Sequence, residues 1–147
     1  MKLLIQRVNN ASVSVDNAIV GEIQKGLLVF IGLKPGDSET ECDYLIKKIL
    51  KLRVFPEGFR SMEQNVVDCG YEILIVSQFT LYADCNKGNR PSFAKAMAPD
   101  QAEVLYNEFL ARLKTQYPKI QEGVFGADMQ VSLVNDGPIT IELSSKA

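Results

Sequence analysis

The stretch GLLVFIG, residues 26–32, contains no charged side chain and no strongly polar one. A strand exposed on one face alternates apolar and polar side chains, whereas a strand covered on both faces is apolar throughout. We therefore expect residues 26–32 to form a central strand of a sheet, covered on both sides. The segment KPGD, residues 34–37, contains a proline and a glycine and should end this strand.

Strand patterns continue on both sides of the central strand. In ASVSVD, residues 11–16, apolar and polar side chains alternate, and its last residue offers a turn with Asn17, so this region predicts a hairpin. The strongest strand pattern is EILIVSQFTLYA, residues 72–83. Near the C-terminus, MQVSLV and ITIEL predict two more strands, separated by a turn at DGP, residues 136–138.

Two helices are predicted between the strands. Ser38 followed by Glu41 matches the capping-box pattern of a helix N-terminus. The inner face of this helix should carry Cys42, Leu45, Ile49 and Leu52. Pro99 suits the first turn of a second helix, which Pro118 stops and whose inner face should carry Ala102, Leu105, Phe109 and Leu113. For residues 55–70 we expect irregular chain with at most one short strand.

These elements define an α+β protein with a single domain over residues 1–147. We expect a curved mixed or antiparallel sheet that forms a barrel-like core with about two helices outside it. A chain of 147 residues, 46% hydrophobic and 23% charged, is suited to one such core. The N-terminal stretch does not match a signal peptide, and no apolar run is long enough to cross a bilayer. We therefore expect a cytoplasmic protein with no membrane partner.

The chain contains no histidine. This excludes a Ser-His-Asp or Cys-His arrangement, imidazole acid–base catalysis and His-ligated zinc. The three cysteines, Cys42, Cys69 and Cys85, are isolated and form no CxxC pair, which argues against a disulfide framework or a thiolate metal site. We therefore expect no metal and no cofactor. Any catalysis must use carboxylates, hydroxyls, backbone dipoles or groups on the substrate.

The charge of the chain is low overall but uneven. A net charge of −2 and an isoelectric point of about 5.2 give no general attraction to nucleic acid, and we expect no DNA partner. Residues 43–60 hold five basic side chains against two acidic ones, and residues 84–97 hold three against one. On charge alone, the first segment fits a solvated helix face as well as a phosphate contact.

Four short segments are candidates for chemistry. SQFTL places Ser77, Gln78 and Thr80 late in an apolar strand, where they fit either solvent-facing positions or a strand end that faces a ligand. GNRPSF, residues 88–93, fits a phosphate contact or a rigid turn, and VFGADM, residues 124–129, fits core packing or a binding site. In NDGPIT the proline removes a backbone donor where a returning strand should begin. That segment fits a plain tight turn or a rigid loop that presents carbonyl oxygens to a ligand.

In order along the chain, IQRV, ASVSVD, VGEI, SQFTLYAD, KGNRPSF and VFGADMQVSLVNDGPIT resemble the D-aminoacyl-tRNA deacylase family. The resemblance runs from end to end with matching gaps. Each motif alone is modest, whereas SQFTL together with NDGPIT in a chain of this length is highly specific. Residues 55–70, FPEGFRSMEQNVVDCG, depart most, because relatives usually carry a more charged EGKMN-like stretch there.

The resemblance implies a proofreading hydrolase. The family cleaves the ester that joins a D-amino acid to the terminal adenosine of tRNA, and it also removes glycine from mischarged tRNA. It implies a homodimer with active sites at the subunit interface. In the family a cis Gly-Pro pair, here Gly137-Pro138, enters the partner's active site and rejects L substrates, whose side chain would clash with its carbonyl oxygens. Arg7 is implied to brace this loop.

The resemblance also implies how the ester is cleaved. The backbone around Ser77, Gln78 and Phe79 lines the pocket with N–H groups that face the ester carbonyl and its oxyanion, and Thr80 lies beside it. The 2′-hydroxyl of the terminal ribose assists an activated water, which suits a chain without histidine. The adenosine end or the Gly-Pro loop is implied to be held by Phe125 and Met129.

The implied partner is the 3′ end of aminoacylated tRNA, and the basic side chains expected to steer its acceptor stem are Lys87, Arg90, Lys47, Lys48 and Lys51. Three other functions stay open. A threonine-nucleophile esterase would use Thr80, although the chain offers it no histidine base. A non-catalytic dimer that binds RNA or a small ligand would keep the pocket for recognition only. A metal-dependent hydrolase would need a site made of carboxylates alone.

Overall fold

A computed structural model describes residues 1–145 and confirms the α+β class. The strands are β1 Lys2–Val15, β2 Ala18–Ile23, β3 Gly26–Gly32, β4 Phe55–Glu57, β5 Arg60–Gln64, β6 Glu72–Ser77, β7 Ile120–Glu122 and β8 Gln130–Ser144. The helices are α1 Glu39–Lys51, α2 Val66–Cys69 and α3 Pro99–Gln116, and a 3₁₀ turn spans Phe79–Tyr82. None of the helices in the described part of the chain is long and apolar enough to span a membrane.

The long strand β1 organises the sheet. Along one edge it pairs with β3 over residues 2–8 and then with β2 over residues 11–15, and along the other edge it pairs with β8. These pairs are antiparallel, whereas β3–β6 and β6–β7 are parallel. The sheet curves until β2 meets β7, where a Cβ on Gly21 would lie 2.6 Å from the carbonyl oxygen of Glu122. The predicted mixed, barrel-like sheet is therefore confirmed.

The strand that decides the fold, β3, is covered on both faces as predicted. Leu27, Val29 and Ile31 belong to the larger core, which also contains the buried side chains of α1 and α3. Leu28 lies in the smaller core inside the curved sheet, together with Val8, Ala11, Val13, Ile23, Leu74 and Val76. Two cores on opposite faces explain why the sequence of β3 shows no alternation.

The two predicted helices form where the sequence places them. At the start of α1, the Ser38 side chain accepts from the Thr40 N–H at 3.3 Å, and the Glu41 carboxylate accepts from the Ser38 N–H at 2.6 Å. Helix α3 starts at Pro99 and packs against α1. Arg112 of α3 joins the helices through ion pairs to the carboxylates of Glu39 and Asp43 on α1, and it also pairs with Glu108 of its own helix.

Residues 55–70 are more ordered than predicted. They form the hairpin β4–β5 and the four-residue helix α2, which makes a third helix in addition to the two expected. Helix α2 is capped by Asn65, whose side chain accepts from the Asp68 N–H at 2.7 Å. The sequence does not predict these elements, because β5 is largely exposed and lacks an alternating pattern of apolar and polar side chains.

The prediction of a strand through residues 72–83 is wrong beyond Ser77. The Gln78 N–H donates to the Ile31 carbonyl at 2.7 Å, and the chain then turns so that the Leu81 N–H donates to the Gln78 carbonyl at 3.2 Å. Gly32 of β3 lets this turn approach closely, since a Cβ there would lie 2.9 Å from Leu81 Cβ. Apolar composition continues past the strand end, so periodicity alone cannot locate it.

The predicted turn between two C-terminal strands is also wrong. Strand β8 is continuous, and both of its halves pair with β1 in the same antiparallel direction. Gln6 pairs with Thr140 and Val8 pairs with Asn135, so four residues of β8 lie opposite the single residue Arg7. The segment DGPI is therefore a large bulge in one strand. A sequence with strand patterns on both sides of DGP cannot distinguish a bulge from a hairpin.

Candidate active site

A cavity of about 1120 Å³ opens beside the carboxyl end of β6. Three stretches form most of its wall: residues 76–79 at the end of β6, residues 96–99 at the start of α3, and residues 125–131, which lead into β8. The structure thus brings five predicted site residues into one cavity: Ser77, Gln78, Phe79, Phe125 and Met129. Residues 77–79 lie far from Phe125 and Met129 in sequence. The parallel pairing of β6 with β7 brings the two segments together.

The turn after β6 exposes backbone donors. The first N–H groups of a helical turn have no acceptor within the turn. The Gln78 N–H donates to the Ile31 carbonyl. Within residues 1–145, neither Phe79 nor Thr80 donates its backbone N–H to another group. The sequence analysis placed Gln78 and Thr80 in a strand. Instead they are neighbours around a turn, where Gln78 Nε2 donates to Thr80 Oγ1.

Neither Thr80 nor the buried thiol Cys42 has the surroundings of an activated nucleophile. Thr80 does not line the cavity, and its hydroxyl oxygen accepts from Gln78 rather than facing a base. Burial raises the pKa of Cys42 to about 12, so its thiolate is not accessible near neutral pH. The polar groups that line this cavity are therefore backbone N–H groups, amides, hydroxyls and the carboxylate of Asp128.

The far end of the cavity is aromatic. Phe125 lies 5.5 Å from Tyr106, measured between ring centroids, and both rings line the cavity. Phe125 also packs against the larger core, so core packing and cavity lining, which the sequence left as alternatives, both apply to it. The Tyr106 hydroxyl is buried and has no hydrogen-bond partner in the part of the chain that the structure describes. Burial raises its pKa, so the hydroxyl stays protonated.

Sequence reasoning missed Tyr106 as a cavity residue. It lies four residues after Ala102 and three before Phe109, on the apolar face of α3. An aromatic residue at this spacing is indistinguishable from ordinary core, and no feature of the sequence marks it.

The predicted basic contacts lie outside the cavity wall. Lys87 and Arg90 are exposed on the segment between the 3₁₀ turn and α3. The third basic residue of that segment, Lys95, forms an ion pair of 2.9 Å with Asp84. The lysines Lys47, Lys48 and Lys51 are exposed on α1 and do not line the cavity.

The Gly137-Pro138 bulge does not line this cavity. Its peptide bond is cis, and both residues are exposed. A Cβ added to Gly137 would meet only Asn135 Oδ1, at 3.9 Å. Since that is ordinary contact distance, packing within the protomer does not require glycine at this position.

Side-chain contacts of Arg7 and Asn135 hold the base of this bulge. Arg7 Nη1 donates to the Val54 carbonyl at 2.6 Å, and Arg7 Nε lies 2.9 Å from the Asp136 carboxylate in an ion pair. Asn135 Nδ2 donates to the carbonyls of Arg7 and Ile139, both at 3.0 Å. The bulge is therefore braced from beneath while its tip points outward.

No group of three or more Cys, Asp or Glu side chains in residues 1–145 is arranged to hold a metal ion. The fold and cavity define a class: a small α+β barrel protein whose site presents backbone N–H groups, small polar side chains and aromatic rings. The chain belongs to the D-Tyr-tRNA(Tyr) deacylase family, whose family model matches residues 4–144.

Individual relatives agree with this assignment. A curated D-aminoacyl-tRNA deacylase from Flavobacterium psychrophilum is 49% identical over 147 residues, covering 99% of this chain and 98% of that protein. A solved structure described as c-Myc DNA Unwinding Element Binding Protein is 45% identical, with a TM-score of 0.94 over 100% of both chains. A probable eukaryotic D-amino acid tRNA deacylase shares the fold, with a TM-score of 0.84 over 97% of both chains at 20% identity. The protein is thus a hydrolase that acts on the ester bond of D-aminoacyl-tRNA.

Proposed function

We propose that this enzyme selects its substrates by chirality through a site shared between two subunits. It cleaves D-aminoacyl-tRNA and mischarged glycyl-tRNA, and Gly137-Pro138 of one subunit enters the cavity of the other to exclude L substrates. The observation that carries the proposal is the bulge in β8. Its base is held by Arg7 and Asn135, and its tip meets no packing in its own protomer that would require glycine.

A glycine with open space around it suggests that its neighbour comes from outside the protomer. Glycine lets another molecule approach the backbone closely, and proline fixes the shape of the loop. The cavity has the complementary property, because it is large and open to one side and holds no side chain of the bulge. A homodimer in which each bulge closes the partner's cavity would satisfy both features. Carbonyl oxygens would then occupy the volume that an L side chain needs.

The proposed chemistry uses the unpaired N–H groups of Phe79 and Thr80. A water molecule attacks the ester carbonyl carbon, and these N–H groups stabilise the negative oxygen of the tetrahedral intermediate. The bond between that carbon and the ribose oxygen then breaks, and the ribose oxygen takes up a proton. The products are the free amino acid and the tRNA. The neighbouring ribose hydroxyl positions the water and moves the proton, since the chain contains no histidine to do so.

The substrate partner would be the 3′ end of tRNA, met in the cytoplasm as part of proofreading. Phe125 and Met129 would hold the terminal adenosine, and basic side chains outside the cavity would attract phosphates of the acceptor stem. The proposed phosphate contacts are Lys87, Arg90, Lys47, Lys48 and Lys51. Replacing them together should weaken tRNA binding and flatten its salt dependence. An unchanged salt slope would remove this part of the proposal.

The first experiment compares D-tyrosyl-tRNA, L-tyrosyl-tRNA and glycyl-tRNA, with enzyme well below substrate. We expect multiple turnovers on the D and glycyl esters and near-background release from the L ester. Release at equal rates from the D and L esters would contradict chiral selection. Binding without turnover would support the non-catalytic alternative, and loss of activity in a chelator would support a metal-dependent one.

A second experiment tests whether the site is shared. Gly137→Ala and Gln78→Ala variants with different affinity tags are co-expressed, and the mixed dimer is isolated. If each site takes its bulge from the partner, one site of the mixed dimer contains both changes and the other contains neither. We expect the mixed dimer to recover about half of the wild-type activity, although each pure variant is impaired. A mixed dimer no more active than the pure variants would refute sharing.

A further inference from the structure

Two aromatic side chains are exposed at the edge of the cavity. Phe79 is 56% exposed and Phe93 is 42% exposed, and both line the cavity wall. Their ring centroids are 5.1 Å apart, with the planes inclined by 71°, so the edge of one ring meets the face of the other. Exposed aromatic rings beside a cavity commonly mark a surface that binds a ligand.

The position of Phe93 is fixed by the backbone around it. Ser92 and Asp84 exchange two backbone hydrogen bonds of 2.7 and 2.9 Å, and the Ala96 N–H donates to the Phe93 carbonyl at 3.1 Å. The Met97 N–H then donates to the Leu33 carbonyl at 2.9 Å, which fastens the segment to the end of β3. Because backbone hydrogen bonds hold the chain on both sides of Phe93, its ring is presented by a supported segment.

The segment that carries Phe93 is basic. Residues 85–95 contain Lys87, Arg90 and Lys95 and no acidic residue, and only Lys95 is paired, with Asp84. Lys87 and Arg90 are exposed. Aromatic rings next to free basic side chains are the combination by which proteins bind single-stranded nucleic acid, because rings stack on bases and cations contact phosphates.

We propose that Phe93, together with Phe79, forms a stacking platform for the unpaired nucleotide that precedes the terminal nucleotide of the tRNA 3′ end. The inference rests on the proposed position of the ester at the turn after Ser77. If the terminal nucleoside occupies the cavity, the preceding nucleotide leaves over the cavity edge, where the two rings lie. Phe93 is then a positioning residue, which acts on how the RNA is held and not on the ester itself.

The test compares two substrates of different length. D-tyrosyl-tRNA contains the preceding nucleotide, whereas D-tyrosyl-adenosine lacks it. We expect Phe93→Ala to lower kcat/KM for the tRNA about tenfold, mainly through KM, since a stacked aromatic ring typically contributes this much to binding a base. For D-tyrosyl-adenosine the loss should be several-fold smaller. Phe93→Leu should behave like Phe93→Ala, because leucine keeps apolar volume but has no ring.

Phe59→Ala is the matched control. Phe59 is also exposed, but it lies at the tip of the β4–β5 hairpin and does not line the cavity. This variant should stay within twofold of wild type on both substrates. Equal losses on both substrates for Phe93→Ala would overturn the proposal, because Phe93 would then shape the catalytic cavity. No loss on the tRNA would overturn it as well.

Direct titration with a trinucleotide of the tRNA 3′-terminal sequence gives a readout that does not depend on turnover. Wild-type protein should bind the trinucleotide more tightly than adenosine, and Phe93→Ala should remove this difference. A wild-type enzyme that is inactive on every ester would contradict the proposed function. This titration would still test whether Phe93 and Phe79 stack on the nucleotide. Equal affinity of wild type and Phe93→Ala for the trinucleotide would contradict it.

Discussion

Gly32 and Gly137 occupy two irregular regions of the same sheet, and they are needed for different reasons. At Gly32 an added Cβ would lie 2.9 Å from Leu81 Cβ and 3.1 Å from the Gln78 carbonyl oxygen, so the turn beside the cavity leaves no room for it. At Gly137 the nearest atom would be Asn135 Oδ1, at 3.9 Å. The first glycine is explained within the protomer, whereas the second is not.

The difference separates a glycine that the fold requires from a glycine that, in our proposal, the function requires. The turn after β6 is supported by a close contact with β3, so its shape belongs to the packed core. The bulge in β8 is braced only at its base, by Arg7 and Asn135, and its tip is exposed. A substitution in the first region should change stability and activity together. A substitution at the tip of the second should change activity alone.

Gly32→Ala and Gly137→Ala are expected to give the largest effects and test this separation directly. Gly32→Ala should destabilise the protein by about 1–3 kcal/mol through overpacking, and the displaced turn should lower activity about 100-fold. Gly137→Ala should change stability by less than about 0.5 kcal/mol. Its activity on D-tyrosyl-tRNA should also fall about 100-fold, because in the proposed dimer a methyl group would enter the partner's cavity. Urea unfolding and kcat/KM measure both quantities.

Wild-type activity in Gly137→Ala would show that the bulge tip meets no substrate. Unchanged stability in Gly32→Ala would show that the turn moves aside at little cost. Either result would contradict the conclusion that the two glycines are needed for different reasons.

Arg7→Lys tests the brace beneath the bulge. A lysine has one amine and cannot reach both the Val54 carbonyl and the Asp136 carboxylate, so one of the two contacts is lost. We expect a loss of about 1–3 kcal/mol in stability, because the hydrogen bonds are to a buried charged group. The ratio of D to L hydrolysis should also fall. Asp136→Asn is the control, since the exposed half of that ion pair should contribute only about 0–1 kcal/mol.

Thr80→Ala tests the turn after β6, which lies beside the cavity. Thr80 Oγ1 accepts from Gln78 Nε2 and faces no base, so its removal should affect only the position of the Gln78 side chain. We expect kcat on D-tyrosyl-tRNA to fall by less than about tenfold, the scale of one lost hydrogen bond. A fall of three orders of magnitude or more would instead support a threonine nucleophile.

Tyr106→Phe should have the smallest effect. Its hydroxyl is buried without a partner within residues 1–145, so removing it should leave stability unchanged or raise it by up to about 1 kcal/mol. Tyr117→Phe is the control, because the Tyr117 hydroxyl donates to the Tyr71 carbonyl at the larger core. That variant should lose about 1 kcal/mol. Equal destabilisation in the two variants would mean that Tyr106 has a partner.

The sequence predicts the elements whose signal is local. The capping residues Ser38 and Glu41, the apolar face of α3 and the two-sided burial of β3 all follow from neighbouring residues. The direction of the chain at the two irregular regions does not follow from neighbouring residues. Strand β6 stops at Ser77 because the chain then turns against Gly32 of β3, and β8 continues past Pro138 because β1 pairs with both halves. Both outcomes depend on residues far away in sequence, which periodicity does not contain.

The same distinction applies to the site. Ser77, Gln78, Phe79, Phe125 and Met129 were singled out by motif, and they meet in one cavity. Their individual roles, and that of Gly137-Pro138, stay predictions. Tyr106 carries a core pattern and no motif, so only its position beside the cavity identifies it. The aromatic pair at the cavity edge likewise depends on a contact between distant segments.

Because β1 pairs with other strands along both of its edges, its amides should be protected from hydrogen exchange. This strand pairs with β8 along one edge and with β3 and β2 along the other, and Arg7, which braces the bulge, lies in its middle. Amides enclosed in this way become accessible to solvent only in openings that disrupt most of the sheet. The β1 amides should therefore exchange at the rate of global unfolding, whereas those at the bulge tip exchange quickly. The support of the bulge would then persist for as long as the protein remains folded.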